Sequence, residues 1–331
     1  MAVLSPSFAA PGMFPKVFEL GLERLRSVFE LEPVEYPTTR KLGASANERA
    51  ADLVAAFSDP QIKAVIATIG GNDQVTYVKD LPSAPFVENP KPFFGYSDSS
   101  HFCNFLFLHG IPSYYGGSIM TQYAMQGAMD AYTVDYLKHA LFAGGKKGLQ
   151  ASDAYNDQGH NWNDDSLLHT PRPTWPNPGH IWDGTGSARG VLWGGCLESV
   201  DDMLRHAIAL PSLEQFEDIV LMLETSEGLP EASYVSRVIR ALGERGILER
   251  INGLLVGRPK AWEFDKPNPP EQKEKYRTEQ QQVMRNTVRL YNKTVPIVQN
   301  MNFGHTDPQI PMPYGGEVTI DCDRETIVAV F

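Results

Sequence analysis

Covalent hydrolysis needs a nucleophile, a base and a group that orients the base, and three separated stretches of this sequence carry the right residue types. In Tyr114-Tyr115-Gly116-Gly117-Ser118-Ile119 a serine stands between two glycines and a long stretch with helical spacing. Small neighbours permit a tight turn that projects the hydroxyl at a helix start, as in a loose nucleophile elbow. Backbone N–H groups at such a start also suit a developing oxyanion. Local sequence alone favours the plainer role of an N-cap. For the base, Asn302-Phe303-Gly304-His305-Thr306-Asp307-Pro308 sets His305 in a polar loop directly after an apolar run, where a scaffold can hold it. His109, also read as following a strand, is its rival. Glu224 ends the apolar run Ile219-Val220-Leu221-Met222-Leu223, at the tip expected of an orienting acid. Glu227 is the substitute, and the plainer role for Glu224 is to cap the next helix or pair with Arg237.

These positions require a scaffold. Short apolar runs alternating with amphipathic stretches predict an α/β fold with a parallel sheet and covering helices. The sequence predicts strands near Ala2-Val3-Leu4, at 64–69, and at Phe105-Leu106-Phe107-Leu108, and helices over 16–30, 46–57 and 118–142. The second helix stops before Pro60. Gly70-Gly71-Asn72-Asp73 closes the strand at 64–69, where α/β proteins place binding loops. From 144 to 189 the composition turns to Asn, Asp, Gly, Pro, His and Trp without periodicity, and a long loop of that kind is a linker or is functional. Its histidines, His160, His169 and His180, have no HExxH-type spacing, so no metal site is expected. Later strands are predicted near 190–195, 219–223, 254–256, 295–298, 317–320 and 326–330. Helices are expected after Ser199, over 231–245, and from about Tyr276 after a proline-rich excursion.

The whole chain sets the outer limits. With 331 residues, 42% of them hydrophobic, two domains are expected, 1–143 and 190–331, joined by the segment 144–189. Lys and Arg total 29 against 40 Asp and Glu, a net charge of −11, so no basic nucleic-acid footprint exists. Three scattered cysteines give neither a disulfide framework nor a cysteine zinc site and point to a reducing compartment. No apolar run is long enough to span a membrane, and the first residues lack a signal-peptide pattern. The expected location is the cytoplasm, with no membrane partner and no cofactor.

Taken in order, Ser5-Pro6-Ser7, Gly70-Gly71-Asn72-Asp73, Gly95-Tyr96-Ser97-Asp98, Gly116-Gly117-Ser118, Trp193-Gly194-Gly195-Cys196-Leu197, Glu224-Thr225-Ser226-Glu227 and Gly304-His305-Thr306-Asp307-Pro308 resemble the LD-carboxypeptidase family. Glu-Thr-Ser-Glu, the tryptophan before Gly-Gly and the Trp/Asp-rich segment are most similar to its microcin C immunity branch. The resemblance implies a serine peptidase and a homodimer. Its N-terminal α/β domain carries the nucleophile, and its C-terminal β-rich α/β domain carries acid and base. Carried over by motif, Ser118 is the nucleophile, His305 the base, Glu224 the orienting acid, and the N–H groups of Gly71 and Ile119 the oxyanion hole. Two departures leave substrate contacts open: Gly116-Gly117 precedes the serine, and Cys196 stands where the family usually has Asn. The expected reaction is amide hydrolysis near a substrate's C-terminus through an acyl-enzyme. The branch favours a peptidyl or aminoacyl nucleotide, with Asn72, Trp182 and Trp193 binding it, since stacking on an aromatic is worth roughly 1–3 kcal/mol per base. The alternatives are a murein tetrapeptide and a non-catalytic ligand-binding protein of the same fold.

Overall fold

The computed structural model describes residues 1–331. The first half supplies strands β1 (Ala2–Leu4), β2 (Val34–Glu35), β3 (Val65–Ala67), β4 (Phe93–Gly95) and β5 (Ser113–Tyr115). Short strands β6 (Lys146–Gly148), β7 (Ala154–Tyr155), β8 (Trp175–Pro176) and β9 (Ile181–Asp183) occupy the middle. The second half adds β10 (Ser187–Cys196), β11 (Ile219–Glu224), β12 (Gly253–Gly257), β13 (Ile297–Met301), β14 (Met312–Tyr314), β15 (Glu317–Asp321) and β16 (Thr326–Val330). Helices α1 (Ala10–Met13), α2 (Pro15–Phe29), α3 (Ala46–Ser58), α4 (Ala84–Glu88), α5 (Ser100–Leu108) and α6 (Ala131–Lys138) belong to the first half, and α7 (Leu197–Arg205), α8 (Ala232–Glu244) and α9 (Pro270–Tyr291) to the second.

Two mixed sheets result. The first runs β14-β5-β4-β3-β1-β2, and the second β6-β16-β15-β10-β11-β12-β13-β9. Strands β1 to β5 are parallel, as are β10 to β13, which fits the near-continuous apolar sequences and full burial of β3, β11 and β12. One core of 56 buried residues reaches from Leu4 in β1 through Leu221 in β11 to Val298 in β13, so the two sheets pack as one body.

The crossing strand matters most for the site. β14 comes from the second half of the chain but pairs antiparallel with β5 at the edge of the first sheet, Met312 opposite Tyr115. The loop between β13 and β14 is thus tied at one end to the second sheet and at the other to the strand that leads into Gly116-Gly117-Ser118. His305, in that loop, is drawn toward Ser118 by two ladders.

Several local expectations are corrected. Phe105–Leu108 is not a strand but the end of α5, whose residues 100–106 are all buried; a helix buried all round reads like a buried strand in so short an apolar run. The single helix expected over 118–142 is broken into a π-helical turn at Ile119–Tyr123, α6, and a second π-helical turn at His139–Ala143. Gly127, at φ +80°, interrupts the pattern between them. Segment 144–189 carries β6 to β9, and β6 and β9 close the two edges of the second sheet. Helix α9 starts at Pro270, since proline is favoured in the first helical turn.

Candidate active site

Ser118 caps the π-helical turn by its backbone position only. Its φ and ψ are −77° and 150°, its side chain makes no capping bond, and its buried Oγ has no hydrogen-bond partner. A buried hydroxyl is ordinarily satisfied, so this one is an exception that the capping role does not explain. The backbone around it is tightly held. Ser118 N–H donates to Gln122 Oε1 (3.1 Å), Gly117 N–H to Gln309 Oε1 (2.8 Å), and Met120 N–H to Thr68 O (2.9 Å).

His305 and Glu224 meet directly. Glu224, at the end of β11 and 1% exposed, accepts from His305 Nδ1 at 2.7 Å through Oε2 and from the Tyr115 hydroxyl at 2.5 Å through Oε1. Tyr115 in turn accepts from Ser97 N–H (3.1 Å), so the last residue of β5 links the Gly95-Tyr96-Ser97-Asp98 turn to the acid. Gly304 sits at φ +95°, and a Cβ there would run into the Glu224 carboxylate; this glycine is required both by conformation and by space. Gln309 joins the two halves, donating from Nε2 to Gly304 O (2.5 Å) while its Oε1 holds Gly117. A second tie runs from Gln122 Nε2 to Asp307 Oδ1 (3.1 Å), with Arg172 on Asp307 at 2.7 Å.

The other ring nitrogen departs from a simple triad. His305 Nε2 lies 2.9 Å from Glu227 Oε2, so both nitrogens face carboxylates. Burial alone would lower the imidazole pKa, but Glu224 and Glu227 outweigh it and raise it to about 10. The charge on His305 conversely holds Glu227 down at about 2. Glu227 stands in a fixed turn: Glu198 accepts from Ser226 N–H (3.2 Å) and from its hydroxyl (2.7 Å).

A cleft of about 680 Å³ opens over His305 and Glu227. Gly71 and Asn72 line it, as do Tyr96, Gln122, His160, Arg172 and Lys260, and its aromatic wall is Phe8, Phe14, Trp162 and Phe264. Tyr96 meets the His305 ring edge-on at 5.1 Å. Gly71, at φ +152°, lies so close to Ser7 that a Cβ would strike its hydroxyl. Its loop is anchored by Asp98, which accepts from the N–H groups of Asp73 and Gln74, each at 3.0 Å. Ile119 is fully buried beside Ser118.

Two expected substrate contacts do not reach the cleft. Trp193 is 0% exposed, donates from Nε1 to Asn104 Oδ1 (2.9 Å) and packs edge-on against Phe216, so it is a core residue of β10. Trp182 lies on the edge strand β9 opposite Val298 and packs on the core. His109 ends α5 with Nδ1 against Phe105 O (2.7 Å) and is absent from the cleft. Tyr115, Gln309 and Gln122 escaped the sequence reading. Only Tyr115 left a signal, as one of two tyrosines directly before Gly-Gly-Ser.

The N-terminal domain profile of the LD-carboxypeptidases matches residues 1–116, and the C-terminal domain profile matches 189–320. A candidate carboxypeptidase of Treponema pallidum is 26% identical over 289 residues, 86% of this chain and 77% of its own. The microcin C7 self-immunity protein MccF of Escherichia coli is 21% identical over 285 residues, 85% of this chain and 77% of its own. Among solved structures, an MccF-like protein from Streptococcus pneumoniae in complex with AMP superposes with a TM-score of 0.85 at 26% identity, covering 99% of this chain and 97% of that one. MccF in complex with aspartyl sulfamoyl adenosine has the same fold, with a TM-score of 0.85 at 20% identity over 100% of this chain and 95% of that one. No helix of the chain is long and apolar enough to cross a membrane. The protein belongs to the LD-carboxypeptidase family and is a serine-type carboxypeptidase.

Proposed function

We propose that the enzyme hydrolyses an amide bond near the C-terminus of a peptidyl or aminoacyl nucleotide, with Ser118, His305 and Glu224 as its triad. The observation that carries this reading is the buried Glu224–His305 pair, whose loop is tied through Gln309 and Gln122 to the turn carrying an unpartnered serine hydroxyl, with His305 lining a cleft that has aromatic walls. Ser118 Oγ attacks the scissile carbonyl carbon as its proton passes to His305 Nε2. The N–H groups of Gly71 and Ile119 stabilise the oxyanion. Collapse of the intermediate expels the amine with the proton from His305, and water then hydrolyses the acyl-enzyme by the same route. Glu224 fixes the imidazole through Nδ1 and stabilises its charged form.

The nucleotide is favoured over a murein peptide because the MccF-like structures carry AMP and an aminoacyl sulfamoyl adenosine, and because the exposed aromatics Phe8 and Phe264, 44% and 56% exposed, line the cleft. A homodimer and a cytoplasmic location accompany this reading, the latter supported by three unpaired cysteines. The test is parallel hydrolysis of an aminoacyl-nucleotide amide and a murein tetrapeptide, with mass spectrometry of Ser118 after a fluorophosphonate. Faster cleavage of the nucleotide and an adduct on Ser118 are expected. Preference for the tetrapeptide would move the enzyme to cell-wall recycling.

A further inference from the structure

One residue grips the peptide groups on both sides of Ser118. The backbone N–H of Gln122 donates to Ser118 O at 3.2 Å, and its side-chain Oε1 accepts from Ser118 N–H at 3.1 Å. The Thr121 hydroxyl donates to the same Oε1 at 2.6 Å, so both lone pairs of that oxygen are used. The amide must therefore meet the serine with its oxygen, because the opposite face would set its NH2 against the Ser118 N–H, donor against donor. Shape does not choose between the two faces, since the amide oxygen and nitrogen are nearly the same size. The choice is made at the far end of the side chain, where Nε2 donates to Asp307 Oδ1 at 3.1 Å, and a carboxylate only accepts. Asp307 is itself firmly placed. Asn156 N–H donates to Asp307 O (2.7 Å) and Asp307 N–H to Asn156 O (2.9 Å), while Arg172 Nη2 donates to Oδ2 (2.7 Å). Gln122 and Asp307 are both buried, and Asn156, Arg172 and Asp307 all line the cleft.

We propose that Asp307 is a positioning residue for the nucleophile: its carboxylate fixes which way the Gln122 amide faces, and the amide oxygen sets the Ser118 peptide. Asp307 touches no reacting atom and acts through Gln122 alone. Arg172, from the middle segment, holds the same carboxylate from the wall of the cleft, so one acid serves both the wall and the serine turn. The sense of each bond makes the role specific. In Asp307→Asn one oxygen must serve both Gln122 and Arg172, or the new NH2 opposes one of them. In Gln122→Glu two carboxylates face each other. Joined in one protein, the two substitutions restore every pairing: the new amide donates to the new carboxylate, its oxygen still receives Arg172, and the second carboxylate oxygen still receives Ser118 N–H.

This role rests on Ser118 being the nucleophile, and the experiment keeps the two apart. The rate at which a fluorophosphonate labels Ser118, and kcat and KM for an aminoacyl-nucleotide amide, are measured per folded protein for the parent, Asp307→Asn, Gln122→Glu and the double variant. Each single substitution is expected to slow labelling and kcat by about ten- to hundredfold, the cost of a slightly misplaced reacting atom. The double variant is expected to return to within about threefold of the parent, since substitutions in one hydrogen-bond network do not add. KM in Gln122→Glu should stay near the parental value, because Asp307 keeps Arg172 and the wall of the cleft is untouched. A parental labelling rate in either single variant, or a double variant no faster than the singles, would overturn the positioning role and leave Ser118 as the nucleophile. No adduct on Ser118 in the parent would remove the nucleophile itself. If Asp307→Asn does not fold, Gln122→Glu against the double variant decides: faster labelling in the double upholds the role, and a double variant that is no faster, or does not fold, overturns it.

Discussion

At the scale of single residues, the unbonded Ser118 hydroxyl and the doubly bonded Glu224 carboxylate make opposite predictions for stability. Ser118→Ala removes an oxygen that has no partner, so melting should be unchanged or slightly raised, while hydrolysis falls by roughly four to six orders of magnitude. Full activity in purified Ser118→Ala would sink the mechanism. Glu224→Gln keeps the shape but gives up the charge beside the ring, and a loss near 10⁴-fold in kcat is expected, as for other orienting acids. A crippled Glu227→Gln beside a near-normal Glu224→Gln would exchange the two assignments. The pH dependence follows from the His305 pKa, which its two carboxylates raise to about 10 against the effect of burial. The charged ring contributes fully to folding stability below its ordinary value near 6.5, and that contribution is lost as pH rises through about 10. Activity runs the other way, because only the neutral ring accepts the serine proton, so kcat/KM should climb with pH through neutrality toward about 10. A flat profile from pH 6 to 9 would contradict this protonation state of the free enzyme.

Among the elements, the β13–β14 loop and β5 decide whether the proposed triad assembles. Tyr115→Phe leaves Glu224 Oε1 buried without its donor, which typically costs about 1–3 kcal/mol, and lets the carboxylate turn away from His305. Chemical denaturation and kcat should both fall, whereas a variant with normal kcat would show that Glu224 needs no second anchor. Gly304→Ala is harsher, since it combines a left-handed backbone with a collision against Glu224. Much of this was open to sequence reasoning. Ser118, His305 and Glu224 each end or follow an apolar run, and the motifs fall in family order. What stayed hidden was non-local. Nothing near Gln309 or Gln122 says that these side chains bridge the elbow to the histidine loop, because the bridge exists only once β14 has crossed to β5. Phe105–Leu108 misled for a different reason: α5 is buried on every side, so no polar face marks its helical period. Glu227 reads from sequence as an alternative to Glu224, and the structure puts both on the same ring, one on each nitrogen.

For the whole molecule, the substrate preference turns on which aromatic residues face the cleft once both halves have packed together. Trp193 stands beside Gly-Gly in sequence, but the shared core takes up its entire surface, and Trp193→Ala should destabilise the fold by about 3–5 kcal/mol. Any loss of activity in that variant should follow the loss of folded protein and strike nucleotide and peptide substrates alike. Trp162 comes from the middle segment and packs edge-on against Phe14 at 5.3 Å, while Phe8 follows β1 and Phe264 follows β12. Three distant parts of the chain thus build one aromatic wall. If a base stacks there, Phe264→Ala should raise KM for an aminoacyl-nucleotide amide by roughly 5- to 150-fold, the equivalent of 1–3 kcal/mol, with little change in kcat. Phe264 is the more informative site, because at 56% exposed it contributes little to the core, so its loss should leave the melting temperature nearly unchanged. A murein tetrapeptide offers no base and should respond little to the same substitution. Equal increases in KM on the two substrates would mean that this wall shapes the cleft without reading a base, and would take the nucleotide preference away from it.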